Sequence, residues 1–94
     1  MREKLLKSLR FTLKDAENWI EVAKQQNNKC WLDDITQFVF ALGKAYQTAL
    51  ILKADYNENG PEVQRASILR YKMHGLISEV QEIHQEEKNT CEHC

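Results

Sequence analysis

The sequence predicts an all-α protein, an antiparallel up-down-up bundle of three long amphipathic helices. Apolar residues recur in three- and four-residue steps over three stretches, two short turn-forming segments divide them, and no stretch alternates with the period of two that a strand requires. Three Gly and one Pro in 94 residues leave little room for long coil, and 43% hydrophobic with 29% charged residues is ordinary for a chain that buries a core.

The first helix is expected from Met1 to about Asn27. Leu6, Leu9, Leu13, Ala16, Ile20 and Ala23 fall on one stripe, widened by Leu5 and Trp19. Arg2, Lys4, Lys7, Arg10, Lys14, Asp15, Glu17 and Glu21 fall largely outside it. Asn27, Asn28 and Lys29 break the pattern, and Asn suits both a left-handed helix end and the cap of a following helix.

The second helix is expected from about Cys30 to Tyr56, with its seam at Ile35, Phe38, Leu42, Ala45, Ala49, Leu52 and Tyr56. Asp33 and Asp34 sit in its first turns, where carboxylates favour the positive end of the helix dipole. Asn57-Glu58-Asn59-Gly60-Pro61-Glu62 then combines turn formers with a proline suited to a first helical position. From Pro61 to about Lys88 a third seam follows at Ala66, Leu69, Met73, Leu76, Val80 and Ile83, with Val63 and Ile77 beside it. Residues 1–88 thus make one bundle domain, and 89–94 a short tail. Connections this short force neighbouring helices to run antiparallel. An extended hairpin that completes its core with a second chain is the alternative architecture.

The second helix carries more apolar surface than one seam uses. A helix in a three-helix monomer needs a stripe somewhat over 100° wide, and Phe40 and Ile51 project away from it. Long Lys and Arg stems of the flanking helices are one cover for that surface; self-association or a partner groove is the other. Phe40, Gly43, Gln47 and Ile51 are the partner-binding residues this predicts. Gly43 and Gly75, each costing about 1 kcal/mol relative to Ala, would mark a close approach of two helix backbones or stand as tolerated neutral positions.

The C-terminus reads Cys91-Glu92-His93-Cys94. In an up-down-up bundle the first turn and the end of the third helix share one end, so Cys30 would approach the tail. Cys30, Cys91, His93 and Cys94, with His84 as a substitute for His93, are ligand types suited to tetrahedral zinc. Zinc modules usually pair two ligand sets at fixed spacing, and only one Cys-x-x-Cys is present. A redox thiol pair is another reading, and a frayed tail with no chemical role is the leading one. Cys30 alone then reads as a small residue at a helix start, and His84 as a solvated side chain.

Thirteen basic and fourteen acidic residues give a net charge of -1, so no global field draws the chain to nucleic acid or anionic lipid. The basic start of the first helix should be offset by Asp55, Glu58 and Glu62 at the same end of the bundle. No apolar run approaches a membrane span of about 18 residues, no signal-peptide core is evident, and an odd cysteine count does not lay out a secreted disulfide framework. These features lead to the expectation of a cytoplasmic protein without a membrane span.

Catalytic signatures are missing: there is no Gly-rich phosphate loop, nucleophile elbow, His-Glu-x-x-His or Glu-x-x-His pair. Glu79, Glu82 and Glu86 could in principle hold Mg²⁺, but a charged solvent face accounts for them better. The expectation is a noncatalytic protein-protein interaction module, an adaptor, inhibitor or regulator, that needs no cofactor. Its partner is another protein, a second copy of itself included. A zinc-binding or redox-responsive regulator using the C-terminal Cys-x-x-Cys is the alternative.

Overall fold

A computed structural model describes residues 1–90, the side chains of 86–90 excepted. Three helices follow one another, α1 (Arg2–Ala23), α2 (Trp31–Tyr56) and α3 (Pro61–Thr90), and every pair is in contact. The described residues contain no strand, and the chain is an all-α three-helix bundle.

The seams become the core. Leu9, Leu13, Ala16, Ile20 and Ala23 of α1 are buried against Ile35, Phe38, Leu42, Ala45, Ala49 and Leu52 of α2, and Ala41 joins them. The alanines on α2 let the α1 backbone come close, so these two helices form the tightest pair. Two clusters result. Near the α1–α2 turn, Phe38 and Ile20 meet Val80, with Trp19 and Trp31 packed around them; near the α2–α3 turn, Leu9, Leu13 and Leu52 meet Val63 and Ala66. Leu69 borders both. A fully buried phenylalanine such as Phe38 is worth about 1.5–3 kcal/mol in transfer free energy alone.

α3 is less deeply embedded than its seam suggests. Val63, Ala66 and Val80 are buried, whereas Leu69, Met73, Leu76 and Ile83 are half-exposed. α1 and α2 already cover each other, so α3 lies over their shared edge and shows part of its stripe to solvent.

Helix ends differ from expectation in one place. α1 stops at Ala23, four residues early, because Asn28 binds back: its Nδ2 donates to the Val22 carbonyl at 2.9 Å and to Asp34 Oδ2 at 2.5 Å. Asn28 Oδ1 meanwhile accepts from the Cys30 N–H at 2.9 Å, an Asx turn that leads into α2. The second turn follows its signals. Asn57 adopts the left-handed conformation (φ 51°, ψ 32°), and the Glu58 N–H donates to the Leu52 carbonyl at 3.0 Å. The Gly60 carbonyl accepts from Gln64 at 3.1 Å, closing the first turn of α3 behind Pro61.

Candidate interaction surface

The side of α2 turned away from the core is apolar for most of its length. Phe40 and Leu32 are each 62% exposed, Leu50 48%, Ile51 40% and Val39 38%. At 100° per residue these side chains fall within a band opposite Phe38, Leu42 and Ala49. Thr36, Gly43, Gln47 and Ala54 lie in the same band and are exposed. Sequence reasoning singled out Phe40, Gly43, Gln47 and Ile51, and all four are on this face; Leu32, Val39 and Leu50 belong with them and complete the stripe.

Long stems from the neighbouring helices do not cover it. Arg70 of α3 lies over the half-buried ring of Tyr46, 6.0 Å from its centroid, at the border of the stripe. Gly43 is not a site of close helix approach within the chain: a Cβ built there would meet nothing within 4 Å, and the same holds at Gly75. Neither glycine therefore serves a backbone contact inside the bundle, and the space above Gly43 is open.

The expectation that no segment could span a bilayer also needs correction. By length and composition alone, α2 is long and apolar enough to cross a membrane. A third of its most apolar stretch is buried inside the bundle. What raises its apolarity is double use, with one face in the core and the other exposed.

His84 is the clearest departure from the sequence reading. Rather than being solvated, it is 3% exposed. Its Nε2 lies 2.7 Å from the Ala23 carbonyl, and since a carbonyl can only accept, that nitrogen carries the donated proton. The imidazole also stacks on Trp31, with centroids 4.8 Å apart and planes 2° from parallel. His84 therefore ties α3 to the end of α1 and the start of α2, and its Nε2 is committed to a structural bond.

Of the other zinc candidates, Cys30 is an exposed free thiol preceding α2, and Cys91, His93 and Cys94 lie outside the described residues. Among the described residues no three His, Cys, Asp or Glu side chains converge as a metal site would require.

The basic start of α1 is neutralised in part from across the bundle, at Arg2 and Arg10, while Lys4, Lys7 and Lys14 are exposed. Arg2 pairs with Glu58, Arg10 Nε with Glu62 Oε2 at 2.8 Å, and Arg65 of α3 with Glu17. Two of the three expected acidic partners, Glu58 and Glu62, thus take part. The Arg10 hydrogen bond, with help from the backbone N–H of Glu62, holds the Glu62 carboxyl below the ordinary glutamate range. The Arg10–Glu62 and Arg65–Glu17 pairs also line the groove of about 420 Å³ between α1 and α3, with Leu13, Lys14 and Pro61. Arg10 and Glu62, and Arg65 and Glu17, answer one another there, and Lys14 stands exposed beside them. On α3, Glu79 lies 3.8 Å from Lys24, and Glu79 and Glu82 are both exposed, as a charged solvent face would be.

No family model matches this sequence, and neither a curated protein nor a solved structure shows similarity to it.

Proposed function

We propose that the protein is a noncatalytic interaction module that binds another protein through the outer face of α2. The observation that carries this reading is the apolar stripe of Leu32, Val39, Phe40, Leu50 and Ile51, broken at its middle by Gly43 and Gln47, on a helix whose opposite face is already consumed by the core. Monomeric proteins rarely leave large contiguous apolar patches in water, and such patches mark contact sites. The geometry suits helix-to-helix recognition, in which anchors at three- and four-residue steps enter a groove or a complementary helix face. Phe40, a large and rigid side chain near the middle, is the expected anchor.

The module acts as an adaptor, inhibitor or regulator in this reading, with specificity supplied by the rim. Asp33, Lys44, Lys53 and Asp55 are exposed beside the stripe and would orient a partner. No cofactor is required.

Site-specific photo-crosslinking in living cells tests the proposal. A photoreactive residue in place of Phe40 should trap a protein partner, while the same residue in place of Tyr71, 88% exposed on α3, should not. Equal yields from the two positions, or none from Phe40, would overturn it.

A further inference from the structure

The two borders of the outer stripe differ in charge. Tyr46 marks the border toward α3, because the Arg70 guanidinium lies over its ring. Val39 and Lys53 stand one heptad either side of Tyr46, Gly43 and Leu50 stand three and four residues from it, and all four are exposed. On α3, His74 and Ile77 follow Arg70 by four and seven residues and so run along the same border. The short Asn57–Gly60 connection makes α2 and α3 antiparallel, which sets Ile77 level with Val39 and His74 close to the level of Gly43.

The valley between the two helices therefore combines apolar and positive groups. Val39, Leu50 and half-buried Ile77 supply the first, and Lys53 and Arg70, with the exposed imidazole of His74 between Arg70 and Ile77, supply the second. Among the described residues, no carboxylate falls on the α2 row from Leu32 to Lys53 or on the α3 row from Ser67 to Gln81, and neither Lys53 nor Arg70 is ion-paired. The opposite border of the stripe is different: Asp33, Lys44 and Asp55 share a row with Phe40 and Ile51 there, and acids outnumber bases. One side of the apolar face is thus positive on a chain whose net charge is -1.

Resting on the reading of this face as a protein-binding site, we propose that its partner is an acidic amphipathic helix. It lies along the α2–α3 valley with an apolar row on Val39 and Leu50 and a row of carboxylates toward Lys53, Arg70 and His74. At 1.5 Å per residue, Lys53 and His74 stand about 10 Å and about 6 Å to either side of the level of Arg70. Carboxylates seven and four residues apart on one face of a helix repeat those steps. Gly43 leaves room for the partner's backbone, since a Cβ there would meet nothing within 4 Å. The apolar residues along the valley favour such a helix over a nucleic acid, whose phosphates would find only two fixed cations. Salt screens exposed charges, so binding should weaken as ionic strength rises.

Two synthetic helical peptides test the partner's charge. They share one leucine row, differ only in carrying Glu or Lys along one edge, and are titrated into the isotope-labelled full chain. The Glu peptide should shift the amide signals of Val39, Leu50 and Arg70 and bind about tenfold more tightly than the Lys peptide, as expected when two or three exposed attractions become repulsions. Joint Lys53→Glu and Arg70→Glu substitution should reverse the preference, and Leu50→Glu should weaken both peptides, with circular dichroism confirming that each variant keeps its helices. Equal affinity for the two peptides, or a preference unmoved by the joint substitution, overturns the acidic partner and leaves the interaction reading intact. Binding of neither peptide also overturns it, and crosslinking from Phe40 then decides separately whether the face binds protein at all. Adsorption to phosphatidylserine vesicles that depends on Leu50, Lys53 and Arg70, with no peptide bound, assigns the valley to a membrane surface and overturns it too.

Discussion

Phe38 and Phe40 stand two residues apart on one helix and live in opposite environments. Phe38 is fully buried between α1 and α3, whereas Phe40 is 62% exposed. Their chemistry is identical, so the contrast isolates what position contributes. One ring excludes water for the fold, and the other is left available for a contact outside it. The same division extends along α2: Leu42, Ala45, Ala49 and Leu52 belong to the bundle, and Gly43, Gln47, Leu50 and Ile51 to the surface.

The largest expected effect lies on the inner face. Phe38→Ala should destabilise the protein by about 3–5 kcal/mol through lost transfer energy plus a cavity. Chemical denaturation followed by circular dichroism measures it, and a loss below about 1 kcal/mol would erase the distinction between the faces. His84→Ala removes the stack on Trp31 and leaves the buried Ala23 carbonyl without its donor, which should cost about 1–3 kcal/mol. If that variant unfolds at the wild-type denaturant concentration, the core ends short of residue 84.

At the α2–α3 turn, a β-carbon without a compensating side-chain bond is poorly accommodated at positive φ. Asn57→Ala should therefore lower stability by about 1 kcal/mol, and Asn57→Gly should not. Equal behaviour of the two variants in thermal melts would contradict the cap. Smaller still is the Arg10–Glu62 pair. Its folded-state carboxyl titrates below the ordinary glutamate value, so its contribution is present above that value and lost as pH falls through the lower folded one. Because the Arg10 side chain is 64% exposed and the pair is open to solvent, the size is about 0.5 kcal/mol or less. The difference in stability between wild type and Glu62→Gln should shrink from pH 6 to pH 3; a constant difference would mean the ion pair contributes nothing. The smallest effect belongs to the outer face. Phe40→Ala in dilute protein, where association is absent, should change stability by no more than about 0.5 kcal/mol in either direction, as a denaturant titration would register.

The fold was legible because a helix is nearly alone in bringing residues three and four apart onto one side. Five of six expected seam positions on α1 and six of seven on α2 are buried; Leu6 and Tyr56, near helix ends, are the exceptions. The early end of α1 was hidden, since it depends on Asn28 reaching both Val22 and Asp34 once the turn has formed. Composition misled at His84, which sits among Glu and Gln residues. The usable signal was its spacing: Val80 and His84 are one four-residue step apart, so the seam continues through His84 rather than through half-exposed Ile83. The interaction face was visible at Phe40 and Ile51 as a surplus of apolar residues. Its full extent was not, because whether Leu32, Val39 and Leu50 are covered depends on where α3 crosses, and period alone does not fix that crossing.

Both tryptophans belong to the same half of the bundle. Trp19 and Trp31 pack on the cluster around Phe38, and neither packs on the cluster of Leu9, Leu52 and Val63. Intrinsic fluorescence therefore watches the Trp31–His84 end and is blind to opening at the Asn57 turn. A melt followed by emission and one followed by backbone ellipticity coincide only if the two halves come apart together, which makes this uneven placement of indoles a built-in measure of the bundle's cooperativity.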